Sequence, residues 1–138
     1  MTRLGPCFAL VLVFALALLA LGCGATRQLQ AVSLSPTSAD AQDSANGQVQ
    51  FTATGSFNKP PSPAPLTNND VRWCVGDSSG TCPGNISAGA TVDQHGVAQC
   101  VPGFSGTATI LAGKGTPAMS PDGPSQLSVF GTAQLACP

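Results

Sequence analysis

The chain has 138 residues and a formal net charge of −1, and only 8% of its residues are charged. Its five Lys and Arg residues form no cluster along the sequence, so the sequence disfavours nucleic-acid binding, which needs grouped cations to neutralise phosphates. Glu and Tyr are absent, whereas Thr, Val and Ser accompany 16 Gly and 12 Pro. This composition predicts an all-β domain of short strands joined by turns.

The N-terminal segment has the order of a secretory signal peptide. Arg3 supplies a positive charge, residues 8–21 are uninterruptedly apolar, and Gly22 precedes Cys23. The apolar run is shorter than the ~20 residues of a transmembrane helix, and no charged cluster follows it. We therefore expect cleavage rather than a permanent span. One alternative is ordinary signal cleavage within residues 22–25, which leaves Cys23 as a spare thiol.

The residues Ala20-Leu21-Gly22-Cys23 resemble the lipobox of bacterial lipoproteins, although the family prefers Leu, Val or Ile where Ala20 stands. The resemblance implies that Cys23 becomes the N-terminus and carries a diacylglycerol and an amine-linked acyl chain. Two or three such chains anchor a protein to a membrane effectively permanently. It further implies a location in the bacterial cell envelope, facing the periplasm or at the outer membrane because Gly24 replaces the retention signal Asp. Without lipidation the chain would be secreted.

These observations divide the chain into a signal peptide at residues 1–22, a lipidated tether at residues 23–29 and one domain at residues 30–138. The domain has four cysteines, an even number that predicts two disulfides in an oxidising compartment. Closeness in the chain favours pairing Cys74 with Cys82 and Cys100 with Cys137, and the other pairings stay open. No metal is predicted, because the spacings are unlike those of zinc ligands and the chain has a single His.

Alternation and turn signals predict about seven strands in the domain. They span residues 30–35, 48–54, 71–75, 90–92, 96–101, 106–112 and 126–137. Gly55 is expected to end the second strand. Residues 58–69 then form a Pro-rich surface loop whose prolines lack the N–H groups that a ladder needs. A second loop, residues 77–85, carries Cys82, and a last turn is expected at residues 121–124.

The third strand contains the only tryptophan of the chain. Period-two alternation places Trp73 with Val71 and Val75 on the buried face and Cys74 on the opposite face. We predict Trp73 as the central core residue, with an exposed binding platform as the alternative. The other predicted core residues are Phe51, Val92 and Ile110.

Several short motifs occur in a characteristic order. Residues 32–36 read Val-x-Leu-x-Pro, residues 47–53 read Gly-x-x-x-Phe-x-Ala, and Trp73 follows. Ala-Thr-Val at residues 90–92 and Gly-Thr-Ala-Thr-Ile at residues 106–110 complete the set. Together they resemble a bacterial immunoglobulin-like domain of group 2, the class first noted in intimin and invasin adhesins. The resemblance implies an antiparallel immunoglobulin-like β-sandwich. The four cysteines and the single copy depart from the family's pattern.

Candidate chemistry is sparse. Asp93 and His95 could act as metal ligands or as an acid–base pair, but a solvated turn before Gly96 is favoured. The chain has no Gly-x-Ser-x-Gly elbow and no phosphate-binding loop, so neither an enzyme nor a cofactor is predicted. The six aspartates are scattered, which disfavours calcium. Residues 85–87 match a glycosylation pattern that we discount. Phe104, in a predicted turn, is either an exposed contact residue or a plug at the domain's end.

The sequence thus predicts a non-catalytic envelope lipoprotein, attached to the membrane through Cys23, whose domain binds a protein or a glycan. The alternative is a structural spacer or assembly component without a specific ligand. The oligomeric state stays open.

Overall fold

The computed structural model describes residues 26–83, 89–116 and 125–138, and these residues are mostly β-strand, as predicted. The predicted signal peptide, Cys23, residues 85–87 and the turn at residues 121–124 lie outside the described residues. The strands are β1 (Leu29–Ser35), β2 (Ser38–Asp40), β3 (Gln48–Gln50), β4 (Thr52–Phe57), β5 (Ala64–Pro65), β6 (Arg72–Gly76), β7 (Thr81–Cys82), β8 (Ala90–Val92), β9 (Val97–Cys100), β10 (Gly106–Thr116) and β11 (Ser125–Cys137). Two 3₁₀ turns, Ala41–Asp43 and Ala45–Gly47, separate β2 from β3.

The strands pair into three sheets. The first has the order β1-β4-β5, the second β3-β9-β8, and the third β2-β11-β10-β6, with β7 also pairing with β11. Only Phe51 separates β3 from β4, so the first two sheets share one continuous stretch of extended chain. The pairs are antiparallel except for β2 and β11, which are parallel. Side chains from all three sheets pack into one main core.

The long strand β10 supplies hydrophobic side chains to both of its faces. Ile110 is fully buried in the main core, whereas its neighbour Leu111 is fully buried on the opposite face. Leu111 belongs to a second cluster with Cys74, Cys82 and Leu127, against which Phe130 packs. Period-two alternation therefore gives the third sheet two buried faces. The main core lies on one of them, and the second cluster lies on the other.

Two disulfides are present, with the pairing that the spacing favoured. Cys74 of β6 is bonded to Cys82 of β7, and Cys100 of β9 is bonded to Cys137 at the end of β11. Both cysteines of the first bond belong to the second cluster. The second bond connects two different sheets.

Of the four predicted core residues, two are central and two are not. Phe51 and Ile110 are fully buried, but Trp73 and Val92 are half-buried and pack against the edge of the main core. The prediction that Trp73 is the central core residue is therefore wrong in position, although its face is correct. The reason is that β6 is the last strand of the third sheet in the described part of the chain, so its large ring reaches the rim.

The prediction that Gly55 ends the second strand is also wrong, because β4 continues to Phe57. A Cβ on Gly55 would lie 2.6 Å from Leu29 Cδ1, so the glycine permits close packing. The Pro-rich loop also contains a short strand, β5, with Pro65 opposite Thr54. Pro65 needs no donor there, because the N–H of Leu66 donates to Ala53 O at 2.8 Å.

The predicted tether, residues 23–29, is wrong from Arg27 onward. The Arg27 guanidinium lies 3.4 Å from the centre of the Phe57 ring, and Leu29 is already part of β1. The N–H of Gln28 donates to Asn58 Oδ1 at 2.8 Å, and the N–H of Asn58 donates to Gln28 O at 3.1 Å. These residues are therefore attached to the domain rather than extended from it.

Candidate functional site

A cleft of about 330 Å³ opens in the edge of the first two sheets. Phe51 and Ala53 are two residues apart, so their backbone groups point to the same side of the strand. The N–H of Phe51 donates to Gly96 O at 2.9 Å, and Ala53 O accepts from Leu66. The segments before β9 and after β5 therefore lie along one edge with a gap between them. We call this gap the notch; its side chains include those of Gln50, Leu66, Thr67, Asn68, Trp73, Gln94 and His95.

One wall of the notch is the turn between β8 and β9. Asp93 Oδ1 accepts hydrogen bonds from the N–H groups of His95 and Val97, at 2.8 and 2.9 Å. Gly96 adopts a φ of 81°, and a Cβ there would lie 2.9 Å from Trp73 Cζ2. Both its conformation and its contact with the indole therefore favour glycine. The predicted turn at residues 94–96 is confirmed.

Gln50 bridges the gap in the ladder. Its Nε2 donates to Phe51 O and to His95 O, both at 2.8 Å. The side-chain amide thus satisfies a strand carbonyl that has no neighbouring strand at this point, and it also fixes the position of the His95 backbone. Gln50 contributes both to the rim and to the rigidity of the notch.

The opposite wall is the turn that follows β5. Asp70 Oδ2 accepts from the N–H of Thr67 at 2.9 Å and from Thr67 Oγ1 at 2.7 Å. These hydrogen bonds lower the pKa of Asp70 below its ordinary value, and the positive charges of Lys114 and Arg27 add to the effect. The turn holds Leu66 and Thr67 against the notch.

The notch combines an aromatic surface with neutral polar groups. Trp73 and Leu66 provide its half-buried apolar surface, and Gln50, Gln94 and Asn68 provide amides. Among the described residues, neither a carboxylate nor a Lys or Arg side chain lines it. Such a surface can stack against an apolar ligand face while it exchanges hydrogen bonds with hydroxyl or amide groups.

The structure also places the other candidate residues. The Asp93 carboxylate accepts from two backbone N–H groups of its own turn, and His95 is an exposed residue of that turn. Across residues 26–83, 89–116 and 125–138, no group of three His, Cys, Asp or Glu side chains is close enough to hold a metal ion. Phe104 is half-buried against the main core, and a Cβ on Gly89 would lie 2.6 Å from its ring. It plugs the domain's end.

A second cleft, of about 210 Å³, lies at the end of the domain where Cys100 meets Pro138. Its lining includes Gln42, Ser44 and Gln99 but, in the described part of the chain, no Trp, Phe or Tyr side chain. It offers hydrogen bonds without an aromatic surface. The notch is therefore the better candidate for a binding site.

The sequence pointed to only two side chains of the notch, Trp73 and His95. Gln50, Leu66 and Gln94 were missed because they come from three separate segments. Local pattern gave no signal for the notch, because the edge position of β6 appears only in the structure.

Comparison with known proteins gives no assignment: no family model matches the chain, and no curated protein matches it. Within the described residues, no helix has the length and apolar character needed to cross a membrane.

Proposed function

We propose that this chain is a non-catalytic, lipid-anchored protein of the bacterial cell envelope, and that its single immunoglobulin-like domain binds a glycan or a protein through the notch. The observation that carries the binding role is the notch itself, in which a half-buried Trp73 stands among glutamine and asparagine side chains. Of the two ligand classes, this chemistry favours a neutral glycan.

The immunoglobulin-like assignment is supported by strand order. Taking β3 and β4 as one strand, one layer has the order β1, β3–β4, β9, β8, and the other has β2, β11, β10, β6. The first segment of the chain thus contributes β1 to one layer and β2 to the other. The layers share the main core, as immunoglobulin-like sandwiches require.

The lipid anchor is supported by the sequence around Cys23 and by the two disulfides. Disulfides persist in oxidising compartments, which include the bacterial periplasm and cell surface. The lipobox-like segment ends at Cys23, six residues before Leu29, where β1 begins. This arrangement would hold a small folded domain close to a membrane.

A glycan is favoured over other ligands on chemical grounds. Sugar rings present a C–H face that packs on an aromatic ring, and their hydroxyls exchange hydrogen bonds with amides. Among the described residues, no Asp, Glu, Lys or Arg side chain lines the notch, which disfavours anionic or cationic ligands, whose charges would be desolvated without such partners. The volume lies near the lower limit for ligand sites, which suits one or two sugar rings.

The test uses Trp73, the chain's only tryptophan, as an intrinsic reporter. The detergent-solubilised full-length protein is titrated with a panel of neutral di- and trisaccharides while Trp fluorescence is recorded. A saturable change is expected for at least one sugar. Gln94→Ala should weaken that response, since it removes a rim amide, whereas Gln134→Ala, an exposed glutamine of β11, should leave it unchanged.

The control separates loss of the site from loss of the fold, since both variants should keep the wild-type melting temperature. If no sugar changes the fluorescence and no envelope protein crosslinks to the notch, the structural-spacer alternative replaces the binding role. Anchoring is tested separately by intact mass: a mature chain beginning at acylated Cys23 is expected, and Cys23→Ala should abolish membrane association.

A further inference from the structure

The basic residues of the domain are concentrated at one end. Here the entry end means the end at which β1 begins, marked by Leu29 opposite Phe57. Arg27 lies over the Phe57 ring, and Lys59 is two residues after Phe57 in the sequence. Both cations therefore lie at the entry end. The Arg27 guanidinium also donates to Pro61 O, which holds it against the Pro-rich loop.

The register of the third sheet places the other two cations at the same end. Gly131 of β11 lies against the backbone of Val32, because a Cβ on it would be 2.6 Å from Val32 O. From this level β1 continues toward β2, which is parallel to β11 with Ser38 opposite Gln134. The segment from β1 to β2 and the strand β11 thus run in the same direction. Val129 and Phe130, which directly precede Gly131 in β11, and their partners in β10 therefore lie toward the entry end.

Lys114 pairs with Val129, which precedes Gly131, and Arg72 pairs with the adjacent Gly113. The entry end therefore contains Arg27, Lys59, Arg72 and Lys114, which are all the Lys and Arg residues beyond the predicted signal peptide. The lowered pKa of Asp70, caused first by hydrogen bonds from Thr67, also responds to Arg27 and Lys114 and so agrees with their proximity.

The negative charges are distributed differently. Asp40 ends β2 and Asp43 follows it, at the opposite end of the domain. Asp70 lies at the entry end, where its carboxylate is bonded to Thr67. Asp122 lies outside the described residues. Asp77 follows β6, and Asp93 lies in the turn between β8 and β9. Among the described residues, the entry end thus has four cations and the hydrogen-bonded carboxylate of Asp70, and it is the positive end of the domain.

The chain reaches the predicted lipid anchor from this positive end. Cys23 precedes Arg27 by four residues, and four residues of chain span at most about 14 Å in any conformation. An acylated Cys23 would therefore hold Arg27 within about two Debye lengths of the headgroups at physiological salt. The opposite end would point away from the membrane.

We infer that the entry end is a membrane-docking surface that binds anionic phospholipid headgroups through Arg27, Lys59, Arg72 and Lys114. The inference rests on the proposed lipid anchor, which supplies the proximity. It adds that the domain does not rotate freely on its tether. Instead, the basic end faces the bilayer, because each cation near an anionic surface is attracted to it.

The two lysines of the chain, Lys59 and Lys114, allow a direct test because both lie at the entry end. The full-length acylated protein is reconstituted into vesicles of pure phosphatidylcholine or of phosphatidylcholine with phosphatidylglycerol. Both samples are labelled with an amine-reactive reagent, and each lysine is quantified by peptide mass spectrometry. Labelling of both lysines should be about fivefold slower on the anionic vesicles. In 1 M salt the difference should disappear.

Two variants sharpen the result. Arg27→Gln combined with Arg72→Gln retains both reporter lysines and should remove most of the protection. Asp43→Asn, at the opposite end, should leave it unchanged. Equal labelling on both vesicle types, for protein that floats with the vesicles, would overturn the inference while leaving the anchor intact. Protein that does not float with either vesicle type would instead contradict the proposed anchor, and docking with it.

Discussion

The main core and the second cluster each include a disulfide, but the two bonds connect different parts of the fold. The main core combines side chains from all three sheets, and Cys100–Cys137 links β9 to the end of β11 beside it. The second cluster lies on the outer face of one sheet, where Cys74–Cys82 links β6 to β7. One disulfide therefore connects separate sheets, and the other connects two strands of the same sheet.

This difference shows what a covalent bond adds in each region. The Cys100–Cys137 bond closes 37 residues of sequence, whereas Cys74–Cys82 closes 8. In the chain-entropy description, the longer loop restricts the unfolded chain more strongly. Removing either the packing or the disulfide of the main core should therefore lower the free energy of unfolding strongly. The same changes in the second cluster should lower it less.

The largest effect is expected from the main core itself. Phe51→Ala removes a fully buried ring that lies between β3 and β4, and it should lower the free energy of unfolding by about 3–5 kcal/mol. Leu127→Ala, in the four-residue second cluster, should cost about 2 kcal/mol, the lower end for such changes, because a loop can collapse onto the gap. Urea unfolding of both variants measures the difference. Equal losses of unfolding free energy in the two variants would mean that the fold depends equally on the main core and on the second cluster.

The next largest difference between the two regions is expected when their disulfides are removed. Cys100→Ser with Cys137→Ser is expected to cost about 4 kcal/mol, and Cys74→Ser with Cys82→Ser about 2.5 kcal/mol, from loop-closure entropy. Thermal melts of the two double variants check the order, and a reductant should shift the wild-type melt downward. If the variant without Cys74–Cys82 were the less stable of the two, loop-closure entropy alone would not explain the order. The bond would then stabilise the second cluster in a further way.

Much of the fold was predictable because alternation and turn chemistry are local. The strand at residues 90–92 has the predicted bounds, and the last strand begins one residue earlier than expected. The short strands β2, β5 and β7 were missed, because two or three residues carry no alternation and form only against distant partners. Local pattern also gave the correct face of Trp73. It could not show that β6 lies at an edge, and so it could not reveal the notch.

The smallest effect concerns acid stability at the wall of the notch, away from both disulfides. Hydrogen bonds from Thr67 hold the pKa of Asp70 below its ordinary value of 3.8 in the folded protein. A carboxyl whose pKa is depressed on folding stabilises the fold above its unfolded pKa, and this contribution is lost as the pH falls through the folded value. Asp70→Asn should therefore lower stability slightly at pH 7 and flatten the loss below pH 3.8. Melting temperatures at pH 7 and below pH 3.8 measure this, with Asp43→Asn as the exposed control. If the melting temperatures of wild type and Asp70→Asn changed in parallel with pH, the Asp70 carboxylate would not contribute to acid stability. The backbone hydrogen bonds of the turn would then be enough to hold the notch wall.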